Sequence, residues 1–436
     1  MNSLKELPSE KPPIKNSDSI KLSTSELSLL SLNEAGRVLG NSINRTYALI
    51  YAVFINSSPI LLSIMTSVRN LLELASQSIF GRYSDIYGRK PFLLVGLFIS
   101  AVISFFFPII TDPVIFLFAM IIYSIAFSIF SPAWMAYLGD ISVSGSRGSF
   151  IGKISTVGVL STFIVLIIMG WGIALTRINY IVQYSIIFRV SSVAFFISGV
   201  TAIFFTERIK KPPKMKYRKN NDTISKNSSI KVNIKKQIRQ AILPLKENPS
   251  FRRFVIICAF MDFSMSLGWP IFGFIRERYA SPAENSLMWA VFMGFQVVSL
   301  TLGGKAIDRY GKRVGLWGRR LMFLIPVVLF FATNWYELAI ANAVGGIGYG
   351  MYFVAMNAYI IDSAPDQSKG NYLGAFSLVM GLVTFLGSIS MGVLTELLMQ
   401  ILGKWDTIYL MLIIVIIFRF IGGLNFMFVK EQSIKG

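Results

Sequence analysis

The stretch GRYSDIYGRK at residues 81–90 returns as GKAIDRYGKR at residues 304–313, a shift of 223 positions. The glycines, the aspartate and the closing basic pair stand at the same places in both copies. These positions are Gly81, Asp85, Gly88, Arg89 and Lys90 in the first copy, and Gly304, Asp308, Gly311, Lys312 and Arg313 in the second. A second landmark, Asp140 with Arg147, returns as Asp362 with Lys369 at a shift of 222. Two landmarks at nearly one offset indicate that the chain contains two copies of a single unit.

Long uncharged runs surround both copies of this loop. The runs without any charged side chain are 91–110, 113–139, 154–176, 338–361 and 371–395. A helix needs ~20 apolar residues to cross the hydrocarbon of a bilayer, so each run is long enough. The chain is 54% hydrophobic and only 15% charged, whereas soluble domains carry about 25% charged residues. These features exclude a water-soluble protein.

The hydrophobic pattern predicts twelve transmembrane helices. The predicted spans are 33–55, 58–80, 91–110, 113–138, 154–176, 185–206, 253–275, 285–303, 318–336, 338–361, 372–398 and 407–429. The predicted fold is therefore an all-α integral membrane protein with two pseudo-symmetric six-helix bundles. The predicted parts are a cytoplasmic tail at 1–32, the first bundle at 33–206, a basic linker at 207–252, the second bundle at 253–429 and a tail at 430–436. The first residues contain no apolar run followed by a cleavage site, so we expect a solvated tail there and not a signal peptide.

The distribution of positive charge predicts the orientation. The chain carries a net charge of +20, and 33 of its 42 Lys and Arg residues lie in the tails and loops on the side of the termini, against four on the other side. This asymmetry predicts a multi-pass protein of the cell membrane with both termini and the linker in the cytoplasm. Attraction to anionic lipid headgroups accounts for the basic linker, with a specific partner as the alternative. Nucleic acid is not expected as a partner.

The repeated pattern G-x-x-x-D-x-x-G-[RK]-[RK] is similar to the loop between the second and third helices of each half in the major facilitator superfamily. The Asp…Arg-Gly element after the fourth helix is also typical there. The resemblance covers the chain from about residue 33, and it implies the major facilitator fold and a secondary transporter. One departure concerns the fourth helix, which lacks the Arg-x-x-Gln-Gly motif of many proton-coupled exporters in this superfamily.

The resemblance also implies a role for the two loops, which would lock the cytoplasmic face when the carrier opens outward. The alternative is a tight turn whose charges only set topology. The expected gating residues are Gly81, Asp85, Gly88, Arg89, Lys90, Asp140, Arg147, Gly304, Asp308, Gly311, Lys312, Arg313, Asp362 and Lys369.

Charged and polar side chains inside the predicted spans are candidates for substrate binding and coupling, because a charge at mid-membrane costs ~2.5–3.5 kcal/mol on insertion scales. Arg69 and Glu73 lie four residues apart on one helix face, either as a structural pair or as a substrate counter-charge with a titratable carboxylate. Asp262 has no basic neighbour within four residues and is the expected proton carrier, unless a partner such as Arg45 reaches it. Gln296 occupies the position equivalent to Glu73 under the 223 shift.

The first predicted span contains Asn41, Asn44 and Arg45, which we expect on one face of the helix and facing a central cavity. In the superfamily that the chain resembles, the first, fourth, seventh and tenth helices line this cavity. The buried carboxylates and these polar groups together form the predicted site for substrate and coupling.

The residue inventory restricts the chemistry. The chain has no His and a single Cys, Cys258, so neither a metal site with imidazole or thiolate ligands nor a cofactor is expected. A clustered nucleophile and base are also missing from the sequence, and we do not expect an enzyme. The predicted function is alternating-access transport of a small organic solute by a monomer, coupled to protons or another ion. A non-transporting membrane sensor on the same fold is the alternative, and efflux and uptake both stay open.

Overall fold

The computed structural model of the protein describes residues 23–142, 147–176, 178–206, 243–365 and 369–429. These residues form helices and short connections, with no strand among them. The long helical segments are α1 (Thr24–Phe54), α2 (Pro59–Tyr87), α3 (Lys90–Phe106), α4 (Pro113–Ile141), α5 (Arg147–Thr176), α6 (Tyr180–Ile203), α7 (Pro249–Tyr279), α8 (Pro282–Tyr310), α9 (Lys312–Phe331), α10 (Trp335–Ser363), α11 (Lys369–Leu402) and α12 (Lys404–Asn425). Each predicted span overlaps one of them.

Ten helices in the described ranges are long and apolar enough to cross a membrane. The other two, α1 and α2, have 31 and 29 residues, but their polar and charged side chains lower their hydropathy. These side chains include Asn41, Arg45 and Arg69, which are the residues predicted to face a cavity. The prediction of an all-helical, multi-pass membrane fold is confirmed.

The ends of two segments differ from the prediction. Helix α1 begins at Thr24 and not at residue 33, because Ser23 and Glu26 form a capping box that satisfies the first backbone amides. Helix α7 begins at Pro249 and not at residue 253, and its first turn is capped by the side chain of Asn248. Residues 24–32 of the predicted tail and 249–252 of the predicted linker are therefore helical. Residues 1–22, 207–242 and 430–436 lie outside the described ranges.

The helices pack as two groups, α1–α6 and α7–α12, which we call the first and second halves. Helices α1 and α6 pack together in the first half, as do α8 and α10 in the second. The halves meet chiefly where α2 packs on α11 and α5 packs on α8. The sequence repeat relates α2 to α8 and α5 to α11, so the two contacts are equivalent, as expected for pseudo-twofold symmetry.

Helix α9 is irregular at its centre. Between the α-helical turns Lys312–Leu316 and Leu324–Phe331 it forms a 3₁₀ stretch, Trp317–Phe323. A Cβ atom placed on Gly318 would lie 2.6 Å from the carbonyl oxygen of Gly348 in α10, so the two backbones touch at this point. A 3₁₀ stretch inside a helix often marks a functional position, and this one carries Arg319 and Met322.

The two halves are closed against each other at the face opposite the termini, which we call the opposite face. The hydroxyl of the fully buried Tyr47 in α1 hydrogen bonds Ser286 in α8 and donates to the carbonyl of Pro282 at 3.1 Å. The backbone amide of Ile60 in α2 donates to the Glu396 carboxylate in α11 at 3.4 Å. Deeper along the same two helices, the Ser67 hydroxyl donates to a carbonyl of α11 at 3.1 Å.

Toward the face that holds the termini, the terminal face, the same helices are less closely packed. Near the opposite face, a Cβ atom placed on Gly392 of α11 would lie 2.3 Å from Ser63 of α2. A Cβ atom placed on Gly170 of α5 would lie 2.8 Å from Leu287 of α8. By contrast, at Gly374 of α11 and Gly152 of α5, near the terminal face, no atom of a neighbouring helix lies within 4 Å of that position among the residues that the structure describes. The halves therefore separate toward the terminal face.

Candidate functional site

A cavity of about 470 Å³ lies between the two halves. Its walls come from α1 and α2 of the first half and from all six helices of the second, α7–α12. The volume falls within the range of ~300–1,000 Å³ that small-molecule sites occupy. Contacts between the halves at the opposite face close the cavity on that side.

Helix α7 presents one continuous face to this cavity. Its lining residues are Asp262, Met265, Trp269, Phe272, Gly273 and Arg276. Steps of three, four and seven residues keep side chains on one face of a helix with ~3.6 residues per turn. Asp262, Trp269 and Arg276 are each seven residues apart, so a carboxylate, an indole and a guanidinium lie along one line through the cavity wall.

Asp262 forms an ion pair with Arg319 of α9, and both side chains line the cavity. As expected, no basic residue lies within four positions of Asp262 in α7, and its partner from another helix is Arg319 and not Arg45. No spacing within α7 could reveal this partner. The guanidinium of Arg319 also lies 3.9 Å from the ring centroid of Tyr352. The irregular centre of α9 thus places a cation directly opposite the buried carboxylate.

Of the three polar residues predicted on one face of α1, two line the cavity and the third points into the first half. Asn41 and Arg45 line the cavity, and the hydroxyl of Tyr123 donates to the Asn41 side chain at 3.2 Å. Asn44 does not line it. Its amide donates to Ser104 at 2.6 Å, and its oxygen accepts from Ser191 at 2.8 Å. The prediction for Asn44 was wrong because the cavity-facing side of α1 continues through residues 42, 46 and 50, which lie on the other flank of Arg45.

Arg69 and Glu73 pair along α2 as expected, with 3.8 Å between the Arg69 Nε and a Glu73 carboxylate oxygen. Arg69 lines the cavity and is almost fully buried, whereas Glu73 does not belong to the lining. Gln296, the residue equivalent to Glu73 in the repeat, lines the cavity from α8. The structure therefore brings together Asn41, Arg45, Arg69, Asp262 and Gln296.

Three arginines of the cavity wall were not predicted as site residues: Arg276, Arg319 and Arg419. Arg276 lies one residue beyond the predicted span 253–275, and Arg319, the second residue of the predicted span 318–336, was counted with the basic loop before it. The Arg276 side chain donates to Asn342 of α10 at 3.0 Å. Arg419 is fully buried and donates to the backbone carbonyls of Met322 and Met265. The seven-residue spacing from Asp262 through Trp269 was the signal that could have identified Arg276.

The repeated loops form two equivalent ion pairs at the terminal face. Arg89, at the start of α3, lies 3.2 Å from the Asp140 carboxylate at the end of α4. In the second half, Lys312 pairs with Asp362 at the end of α10. The repeat relates Arg89 to Lys312 and Asp140 to Asp362, so the two repeated landmarks are in contact within each half.

The remaining loop residues are described in part. Gly88 and Gly311 end α2 and α8 with φ values of 95° and 85°, and Arg313 donates to the carbonyl of Val429 at 3.0 Å. Lys90 begins α3. The surroundings of Gly81 and Gly304, and the side chains of Asp85, Arg147, Asp308 and Lys369, lie outside the described residues. Within the described ranges, no group of three Cys, Asp or Glu side chains comes together to hold a metal ion.

Comparison with known proteins agrees with this architecture. The Major Facilitator Superfamily profile matches residues 35–266 and 253–435. Multidrug resistance protein 2 of Bacillus subtilis is 24% identical over 344 residues, which are 74% of this chain and 77% of that protein. Hexose transporter HXT8 of Saccharomyces cerevisiae is 22% identical over 187 residues, 38% of this chain. The match spans only about a third of the length of that hexose transporter, 33%.

Solved structures show the same fold. The crystal structure of the nucleoside transporter NupG superposes with a TM-score of 0.68 at 14% identity, over 93% of this chain and 98% of that one. The profile match covers both halves of the repeat, each with its own loop and its own helices at the cavity wall. This chain belongs to the Major Facilitator Superfamily.

Proposed function

We propose that the protein moves a small organic solute across the cell membrane by alternating access. The observation that carries this proposal is the polar cavity between two repeat-related halves, which are closed at one face and separated at the other. In such carriers the two bundles rock about a site near the bilayer midplane. The relatives named above are transporters for different solutes, so they support transport but do not identify the substrate.

The terminal face lies in the cytoplasm in this proposal, because most Lys and Arg residues of the tails and loops are on that side. The structure then corresponds to an inward-open state. The contacts of Tyr47 and Glu396 hold the outer gate closed, and the two loop pairs Arg89–Asp140 and Lys312–Asp362 each lie within one half. Opening to the outside requires that the outer contacts break and that the halves approach at the loops.

The ion pair between Asp262 and Arg319 is the proposed coupling site. Protonation of Asp262 removes the negative charge that holds Arg319, so the state of this carboxylate changes the charge of the cavity wall by one unit. Substrate binding and proton binding can then influence each other through the same arginine. The pair Arg69–Glu73 is the proposed fixed element, since both members lie on one helix and move together.

Distance measurements between spin labels test alternating access without knowledge of the substrate. Lys153 of α5 and Lys305 of α8 are exposed near the terminal ends of two helices that meet across the halves. Labelled cysteines at these positions, in a Cys258→Ser background, should give two distance populations, and the longer one corresponds to the structure described above. Tyr47→Phe removes an outer-gate contact and should enrich the shorter population.

A label pair within one half serves as the control. Leu27 of α1 and Lys153 are both exposed and lie on packed helices of the first half, so their distance should stay constant in every condition. A single unchanged distance between the labels at 153 and 305, in the parent and in Tyr47→Phe, would contradict the alternating-access proposal.

A further inference from the structure

We propose that the cavity binds an organic anion, a carboxylate or phosphate that carries an apolar or aromatic group, with Arg45, Arg276 and Arg419 as its counter-charges. This inference rests on the proposed transport function and specifies its substrate class. The argument starts from the charges of the lining: five arginines face one lining carboxylate. The charged lining residues are Arg45, Arg69, Asp262, Arg276, Arg319 and Arg419.

The existing ion pairs leave three of these cations without a carboxylate. Asp262 neutralises Arg319, and Glu73 lies near Arg69. Within the described residues, Arg45, Arg276 and Arg419 form no salt bridge, and the side-chain partner of Arg276 is the neutral amide of Asn342. An uncompensated charge within the membrane is costly, and such residues mark pathways for charged substrates. An anion in the cavity would supply the missing counter-charge.

Unsatisfied hydrogen-bond donors lead to the same ligand chemistry. The buried Nε atoms of Arg69, Arg319 and Arg419 have no hydrogen-bond partner among the described residues, and neither does the buried indole nitrogen of Trp289. All four side chains line the cavity, and the three arginines are more than nine-tenths buried. Guanidinium and indole groups can only donate. The cavity wall is therefore rich in donor groups, and a solute with acceptor oxygens, such as a carboxylate or phosphate, suits it better than a donor-rich cation.

The arginines come from both halves, which gives the anion a role in holding the halves together. Arg45 and Arg69 belong to the first half and lie close enough for their charges to repel each other. Arg319 and Arg419 of the second half repel each other in the same way. An anion between the two groups relieves both repulsions at once. A cationic solute would add to them, so it is the least compatible substrate.

The apolar part of the lining indicates the rest of the ligand. Trp289 and Phe292 of α8 stack with centroids 4.5 Å apart and planes within 4° of each other, and Trp269 and Phe272 lie on the facing side of α7. Such flat surfaces favour a ring or an apolar chain attached to the anionic group. A sugar with hydroxyl groups alone leaves the three cations uncompensated, although Asn41, Gln296 and Asn342 could hydrogen bond to it.

Thermal unfolding of the purified full-length protein with matched pairs of compounds tests the proposal. The pairs are benzoate with benzamide, 2-naphthoate with 2-naphthalenemethanol, and phenyl phosphate with phenol, all at constant ionic strength. A ligand that binds the folded state raises the unfolding temperature. We expect the shift from anionic members of the panel and none from their neutral partners. The first two pairs test recognition of a carboxylate, and the third pair tests recognition of a phosphate.

Arginine variants show whether the anion sits in this cavity. Arg45→Gln should weaken anion binding about tenfold or more, as expected for loss of a hydrogen bond to a charged group of ~1.5–3 kcal/mol. Arg45→Lys should retain the preference for the anion over its neutral partner, because it keeps the charge. The matched control is Arg189→Gln, which removes an exposed arginine of α6 that lies outside the cavity and should bind like the parent.

Three outcomes would overturn the proposal: neutral members that bind as well as the anions, no shift from any anion, or equal weakening by Arg45→Gln and Arg189→Gln. Uptake of the same compounds into proteoliposomes separates this proposal from the transport function. An anion that binds in the cavity but is never taken up contradicts transport and leaves the anion site intact. Uptake of a neutral solute without anion binding supports transport and refutes the anion site.

Discussion

Asp262 and Arg319 are 57 positions apart in the chain and form the ion pair of the cavity wall. Both are largely shielded from solvent, with side-chain exposures of 14% and 9%. Removal of either partner of such a pair lowers the stability of the protein, because the remaining charge stays in a poorly solvated place. This one pair of residues therefore contributes to the stability of the cavity wall, and it is the proposed site of proton coupling.

Asp262→Asn should abolish substrate accumulation driven by a pH difference and should preserve passive exchange across proteoliposomes, because the neutral amide cannot bind and release a proton. It should also lower the stability by about 1–3 kcal/mol, less than for a fully buried pair since the cavity admits water. Uptake with and without an imposed pH gradient and thermal unfolding measure the two effects.

The exposed Asp406→Asn at the start of α12 is the matched control for this variant and should change neither property. In the double variant Asp262→Asn/Arg319→Gln, the loss of stability should be smaller than the sum of the two single losses, since neither charge is left alone. Accumulation against the gradient by Asp262→Asn would show that the coupling carboxylate lies elsewhere.

Individual elements depend on short turns that only particular residues allow. Helix α2 ends at Gly88, with φ 95° and ψ 158°. Helix α8 ends at Gly311, with φ 85° and ψ 165°. This region of backbone space is essentially restricted to glycine. Each turn places the next basic residue against an aspartate: Arg89 contacts Asp140 at the end of α4, and Lys312 contacts Asp362 at the end of α10. The two repeated sequence landmarks are thus one structural unit in each half.

Gly88→Ala and Gly311→Ala should each destabilise the protein by about 1–3 kcal/mol, the cost of a side chain in this backbone region. Gly139→Ala is the matched control. Gly139 lies inside α4 with no atom within 4 Å of the new Cβ, so alanine should be neutral or stabilising by up to ~1 kcal/mol. Thermal unfolding in one detergent compares the three. Equal effects at Gly88 and Gly139 would refute the requirement for glycine in the turn.

At the scale of the whole molecule, the arrangement of the two halves has to be considered together with the orientation of the chain in the membrane. Contacts that include those of Tyr47 and Glu396 hold the halves together at the opposite face, the outer gate of the proposed mechanism. The positive charge of the loops predicts that the terminal face lies in the cytoplasm. The orientation of the chain therefore decides which conformational state this structure represents. In the opposite orientation, the same structure would be open to the outside.

Cysteine labelling of intact cells tests the orientation. In a Cys258→Ser background, Lys404→Cys at the opposite face should react with a membrane-impermeant maleimide, whereas Lys246→Cys at the terminal face should react only after permeabilisation. Both lysines are exposed, so access and not burial decides the result. Labelling of Lys246→Cys in intact cells would mean that the terminal face is external.

The sequence by itself determined the features that local patterns encode. The repeat of the loop, the apolar runs and the basic asymmetry predicted two helical halves in a membrane, and the loop pattern predicted a tight turn at Gly88, where φ is 95°. Span limits were less certain, because polar caps such as Ser23 extend a helix beyond its apolar run. One residue of error at the end of the span 253–275 left Arg276 outside it, and Arg319, at the start of the span 318–336, was counted with the basic loop before it.

Only the tertiary structure decided which charges meet. The rotation of each helix about its axis is set by packing against neighbours from distant parts of the chain, and no periodicity within one helix reports it. This rotation turned Asn44 toward Ser104 and Ser191. The irregular centre of α9 brought Arg319 to Asp262. The excess of arginine in the cavity is thus a property of how the helices converge, since the five arginines come from five different helices.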